Sequence, residues 1–534
     1  MNQPGKSKTE KPKSSPWILP VEVGIAATVI YGGSQLVSDK FLPILILLVC
    51  VIFMVRRLPK IKEEVPGQLA HLQMLGFRNR RALNWFIAGM AYAFLYWGRY
   101  NLNGALKALG GSEMVHEFHL IFGLGTLIYG LSFLINGPLT DRYGGRFSLI
   151  TGVSGAVVMN LLMGLSTLLF LNEKIDHSQL FHSLLVLFPM NMYFQSFGAV
   201  AIVKINSPWF HVRERGVFGA IFGILISLGI YFAYDWTSLI VKGFAWDVYW
   251  AFFIPSMALA LALVLVILIV RNRPSQAKGL TFAQTVIAPI FPKRADRAKK
   301  LTDFANGDAT SGDDSKPDHP VAVLKLMLGS KIIMTIAGIE FCSGFLRQAI
   351  MQNYTYFAPA VGYADAFVTK NWGMVLCCAG ILGGVFAGVI SDHFFGSRRG
   401  PVAGVLYAGL LVTAVVACFM LGNPAIGWVV VAGSLCVIGV HGMLSGTASM
   451  DFGGAKNAGI AVGLIDGFVY LGTAVQSGVY AVVLPGKNEV STASDWIYWP
   501  VAMIPFAVIG LILAYRIRNA KPKPKEVEAE ATAS

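Results

Sequence analysis

Apolar residues in this chain arrive in blocks of about twenty, and that regularity decides what class of fold is open to it. Water cannot solvate such blocks, whereas a helix of that length crosses a bilayer core with every backbone polar group bonded internally. From Leu83 onward twelve blocks follow, at 83–109, 120–139, 147–171, 180–204, 216–240, 248–270, 331–358, 371–391, 400–421, 426–449, 458–484 and 496–516. A polar segment, 272–330, with the run NGDATSGDDSKPD, separates the first six from the last six. The expected fold is therefore an all-α membrane protein of two six-helix bundles, 83–271 and 331–517.

Two shorter apolar blocks, Trp17 to Val37 and Phe41 to Val55, precede this core. Glu22 inside the first block and the immediate second block argue against a cleaved signal peptide, so 17–56 is expected to be an extra membrane hairpin. Residues 1–16, rich in Lys and Pro, read as a disordered tail, 57–82 as a basic surface linker and 518–534 as a second tail.

Charge supplies the orientation. The net charge of +14 invites a nucleic-acid reading, but the basic residues gather at alternate ends of the spans rather than on one face. One set of connections holds Arg142, Arg146, Arg213, Arg215, Arg398, Arg399 and Arg516; the other holds no arginine. The positive-inside rule then puts both tails and the central segment in the cytoplasm of an inner-membrane protein. The six cysteines lie in apolar stretches without C-x-x-C spacing, which suggests neither a disulfide framework nor a zinc site. Neither a nucleophile–base pair, a phosphate-binding glycine loop nor a metal spacing is seen, so no enzyme activity, cofactor or metal is expected.

Two spans break their own apolar pattern with an arginine. Arg99 stands 16 residues after Leu83, and Arg347 stands 16 after Lys331. An arginine at bilayer depth costs roughly 2.5 to 3.5 kcal/mol on an insertion scale, which several leucines must offset. At about 1.5 Å rise per residue the two guanidiniums reach similar depth on different helices, and two buried arginines facing one cleft make an anion site. A guanidinium suits phosphate because its planar fork meets two oxygens and it keeps its charge. The alternative is that each arginine is held by a buried carboxylate; Glu340, two turns before Arg347, offers a partner for one of them.

Further residues complete the candidate set. Tyr92, Tyr96, Trp97, Tyr100, Tyr354 and Tyr356 flank the arginines, either as substrate contacts or as helix packing; Tyr96, Tyr100 and Tyr354 are taken as binding candidates. Glu340 and Asp466 could titrate and couple protons to movement of a substrate, or be satisfied structurally. His441 reads as a packing residue, and Asp235 lies toward the far end of the fifth span.

The connection after the second span reads GPLTDRYGGR, with Gly137, Asp141, Arg142 and Arg146; a looser copy, GVISDHFFGSRRG, follows the eighth with Asp392 and Arg398. Arg99 precedes Asp141 by 42 residues and Arg347 precedes Asp392 by 45, which marks an internal repeat. The first motif resembles the loop motif of the major facilitator superfamily, and a gating role for both copies is expected. Together with YWGRYNLNGAL, KINSPWFHVRERG and FLRQAIMQNYTYFAP, it resembles the organophosphate:phosphate antiporter family, the group of glycerol-3-phosphate and hexose-phosphate transporters and their sensor relatives.

That resemblance covers roughly 83–516 and implies a major facilitator fold with phosphate held between the bundles by Arg99 and Arg347. It departs where glycerol-3-phosphate carriers have a lysine and a histidine: Phe133 and Ile226 stand there instead. The function expected is secondary active transport of an organic phosphate in exchange for inorganic phosphate by alternating access. A transporter-like sugar-phosphate sensor and a proton-coupled symporter of another organic anion are the alternatives. The expected partners are a small phosphorylated substrate, inorganic phosphate or protons, and lipid; no nucleic acid is expected, and a monomer is.

Overall fold

The computed structural model describes residues 75–110, 114–209, 215–277, 320–394, 399–444, 458–485 and 492–519. The tail 1–16, the hairpin 17–56 and most of the linker, central segment and second tail lie outside the described residues. Among the described residues every regular element is helical.

The first half comprises α1 (Leu75–Gly110), α2 (Val115–Tyr143), α3 (Gly145–Leu171), α4 (His177–Asn206), α5 (Arg215–Tyr231) and α6 (Trp250–Ile269). The second comprises α7 (Lys331–Ala360), α8 (Trp372–Phe394), α9 (Arg399–Met420), α10 (Ile426–Met443), α11 (Ala458–Val483) and α12 (Tyr498–Arg516). Ten of the described helices are long and apolar enough to cross a membrane. The apolar run of α1 is interrupted by Asn84, Arg99, Asn101 and Asn103, and α8 has the shorter apolar stretch Trp372–Gly384. Two elements reach into segments expected to be irregular: α1 starts at Leu75, inside the expected linker, and a helix at Pro320–Gly329 precedes α7.

The packing repeats itself. Within the first half α1 packs on α5 and α6, α2 on α4, and α3 on α4 and α6; within the second, α7 packs on α11 and α12, α8 on α10, and α9 on α10 and α12. Each pairing reappears when six is added to the helix numbers, so the six-and-six division is a structural duplication. The halves meet along α2 with α11 and along α5 with α8, which the same operation exchanges.

Without a hydrophobic force between helices in lipid, small residues permit the closest approaches. A Cβ on Gly344 of α7 would strike the Val469 carbonyl of α11, and one on Gly472 of α11 would strike the Phe341 carbonyl of α7. Between halves, Gly130 of α2 lies against the Gly467 carbonyl of α11. The motif after α2 is mostly helix; it ends at Gly144, whose φ of 90° is open to glycine and strained for other residues. The chain reverses there into α3.

Candidate substrate site between the halves

Arg99 is wholly buried on α1 and held by neutral acceptors. Its Nε donates to Gln195 Oε1 of α4 at 3.0 Å, one terminal nitrogen donates to Tyr129 Oη of α2 at 2.9 Å, and the other donates to Tyr470 Oη of α11. The rings of Tyr96, Tyr129 and Tyr470 present their faces to its Cζ at 4.7, 4.4 and 5.3 Å. Behind it Gln195 Nε2 donates to Asn191 Oδ1 and to the Gly98 carbonyl, which also accepts from Asn160 and Asn191. This amide network fixes the guanidinium without neutralising it.

Arg347 on α7 is 1% exposed, and among the described residues none of its three guanidinium nitrogens has a hydrogen-bond partner. Its Cζ lies 5.7 Å from the centroid of Tyr470, the same ring that Arg99 approaches from the other half. Two cations thus converge on one tyrosine, separated by no more than the sum of those two distances. A buried arginine without acceptors is expensive, so an arrangement of this kind persists where an anion completes it.

No carboxylate is hydrogen-bonded to Arg347 among the described residues, although Glu340 acts on it electrostatically. Glu340 is fully buried; its Oε2 faces His441 Nδ1 of α10 at 3.0 Å, and its Oε1 has no partner among the described residues. His441, read from the sequence as a packing residue, is therefore half of a buried acid–imidazole pair. Asp466 is buried on α11, one turn before Tyr470, and is close enough to act electrostatically on Tyr129 and Tyr470.

The other candidates divide. Tyr96 and Tyr100 lie beside Arg99, Tyr100 accepting from Gln348 Nε2 of α7 at 2.5 Å. Tyr354 does not: its hydroxyl meets Thr369 at 3.0 Å and its ring packs on Trp372 at 4.5 Å, inside the second half. Glu340, Arg347 and Tyr354 recur every seven residues and share a face that looks into their own half. Phe133 fills the space beside Tyr129 and Tyr470, at 4.9 and 6.2 Å, where the resemblance predicts a cation.

Both ends of the interface are joined. At one, Asp141 takes Lys204 Nζ at 2.6 Å and caps α11 by accepting from Ile460 N at 3.1 Å. Arg142 is exposed over Tyr143, and Arg146 ties α3 to the Ile267 carbonyl of α6, so neither reaches the other half through those contacts. Gly137 is buried on α2, while the side chains of Asp392 and Arg398 lie outside the described residues. At the opposite end Asp235 caps α8, accepting from Gly373 N and Met374 N at 2.8 Å each. Asp235 lies in a π-helical turn, Phe232–Trp236, of the kind often found where helices serve a function. Lys107 donates there to the Thr355 carbonyl, and Thr355 to Asn103 Oδ1 at 3.2 Å.

The model of the Major Facilitator Superfamily matches residues 88–477. The chain belongs to that superfamily. It is an integral, multi-pass membrane protein of a family of transporters, not enzymes. It is similar to the glycerol-3-phosphate transporter of Bacillus subtilis, 28% identical over 67% of this chain and 75% of that one. It is similar to the membrane sensor protein UhpC of Salmonella typhimurium, 25% identical over 74% and 83%, and to a probable hexose phosphate transport protein of Chlamydia trachomatis, 24% identical over 86% and 95%. These relatives bear out the resemblance to the organophosphate:phosphate antiporter family. The fold is shared with the xylose transporter XylE from E. coli in a partially occluded inward-open conformation, with a TM-score of 0.51, 13% identity, and coverage of 82% of this chain and 97% of that one.

Proposed function

We propose that the protein carries an organic phosphate across a bacterial inner membrane in exchange for inorganic phosphate, as a monomer with both tails cytoplasmic. The observation that carries this reading is Arg347, buried with three nitrogens lacking acceptors among the described residues and meeting Arg99 at Tyr470. Its similarity to glycerol-3-phosphate and hexose phosphate transport proteins supports the same class of cargo.

The physics favours exchange over free return. Two guanidiniums on the order of 10 Å apart repel by about 1.5 kcal/mol at an effective dielectric of 20, and both are out of water. A phosphate dianion bridging them removes that repulsion and supplies acceptors to Arg347, so closure around the site is easiest with anion bound. An empty carrier closes against repulsion, which makes reorientation depend on a phosphate in each direction. Alternating access then requires the Asp141 latch on α11 and the Asp235 latch on α8 to break in turn, one per side.

Proteoliposomes loaded with inorganic phosphate test this. Uptake of glycerol 3-phosphate or glucose 6-phosphate that requires internal phosphate supports exchange. Uptake of a carboxylate alone, with no phosphorylated compound taken up, overturns it. A second reading, a sensor, draws on the likeness to UhpC and predicts saturable binding without turnover. A coupling role for Glu340 and Asp466 draws on the burial of both carboxylates within helices and on the 3.0 Å contact of Glu340 with His441.

A further inference from the structure

Next to Arg347 the same helix carries a stripe of neutral polar side chains that the phosphate site leaves unused. Gln348, Gln352 and Tyr356 recur at intervals of four on α7 and so share one face. They are 0%, 0% and 1% exposed. Gln348 spends its Nε2 on Tyr100, but among the described residues its Oε1 has no partner, nor has either amide atom of Gln352 or the hydroxyl of Tyr356. Tyr100 stacks at 6.4 Å on Tyr234 from the π-helical turn after α5, and the Tyr234 hydroxyl is also buried without a partner among the described residues. The stripe therefore faces the first half across the cleft, beside the face that carries Glu340 and Tyr354.

Unbonded amides and phenols in a closed interface are costly, and such a set is hard to explain as packing. Its chemistry is specific. An amide offers donors and an acceptor, a phenol offers both, and an alcohol has matching needs at every hydroxyl. The stacked rings of Tyr100 and Tyr234 add apolar surface on the first-half side of the stripe. From Gln348 to Tyr356 the stripe spans about 12 Å of helix, enough for a group the size of a hexose.

We infer that this stripe, built on Gln348, Gln352 and Tyr356 and faced by Tyr100 and Tyr234, binds the organic part of the substrate and selects a neutral, polyhydroxylated group. The inference rests on the phosphate reading and narrows it to esters of sugars or glycerol. An alkyl phosphate leaves the stripe unbonded. A phosphoglycerate places a carboxylate against five side chains none of which carries a positive charge, where lost hydration is not repaid.

The test is competition for uptake of labelled inorganic phosphate by the full chain in phosphate-loaded proteoliposomes. Glucose 6-phosphate or glycerol 3-phosphate should inhibit at least about tenfold better than ethyl phosphate or 3-phosphoglycerate. Each variant is scored by the ratio of inhibition constants between the hydroxylated ester and ethyl phosphate, which a general loss of transport does not move. Gln352→Leu should cut that preference about tenfold. Tyr356→Phe, which removes one oxygen, should cut it several-fold and serves if the leucine disturbs folding. A wild type that ranks ethyl phosphate or 3-phosphoglycerate equal to the sugar ester overturns the inference, as do variants that keep the full preference, and both leave the phosphate site standing. A wild type that takes up no phosphate overturns the phosphate reading and this inference with it.

Discussion

Asp235→Asn should open the end of the interface that Lys107 closes and leave the Asp141 end shut. The carboxylate receives two backbone N–H groups from the first turn of α8, at 2.8 Å each, and α8 belongs to the other half. Hydrogen bonds to a charged group contribute about 1.5 to 3 kcal/mol each, and a charge at a helix N-terminus adds up to about 2 in a partly buried setting. Asparagine keeps one acceptor oxygen and loses the charge, so a net loss of about 1.5 to 2 kcal/mol is expected. At 1.4 kcal/mol per decade that is roughly a 10- to 30-fold rise in the ratio of open to closed at this end. The reporter is Thr355→Cys, at a residue 7% exposed that bridges the halves through Asn103, labelled with a membrane-impermeant maleimide added from one side at a time. Asp235→Asn should speed labelling about tenfold from the Asp235 side alone. An unchanged rate, or a rise from the Asp141 side, would refute the claim that this carboxylate holds the halves together.

Other substitutions separate the roles assigned within the site. Tyr470→Phe removes the hydroxyl that Arg99 donates to while keeping the ring between the two arginines; it should weaken half-saturation for phosphate about tenfold, whereas Tyr354→Phe should stay within about twofold, measured by initial uptake rates. Glu340→Gln removes the carboxylate that faces His441; if the pair couples protons to transport, the variant loses the wild type's dependence of uptake on an imposed pH gradient, and an unaltered dependence removes Glu340 from that role.

What the sequence disclosed, and what it withheld, follows from which properties are local. Span length, the two arginines at matched depth and the repeated Gly/Asp/Arg motif are read from one segment at a time. Tyr470, Tyr129 and Gln195 were missed because each is an ordinary polar or aromatic residue on a helix distant in sequence, and its value comes from the rotation and pairing of that helix. A signal was present: Asn191 and Gln195 fall four apart in an apolar span, and Tyr470 follows Asp466 by one turn, so both mark a polar face. Tyr354 meets Thr369 and Trp372 of its own half, which spacing along one helix cannot reveal. Asp235 and Asp141 were both noticed as charges, but their shared task, capping a helix of the opposite half, depends on the α5–α8 and α2–α11 contacts.

Equilibrium binding of labelled inorganic phosphate to the purified protein, wild type against Arg347→Gln, bears most directly on the two-arginine site. Saturable binding by the wild type, weakened at least about thirtyfold in Arg347→Gln and only partly restored in Arg347→Lys, is the expected result. Binding by Arg347→Gln within about twofold of the wild type, on a protein that remains folded, would contradict the account.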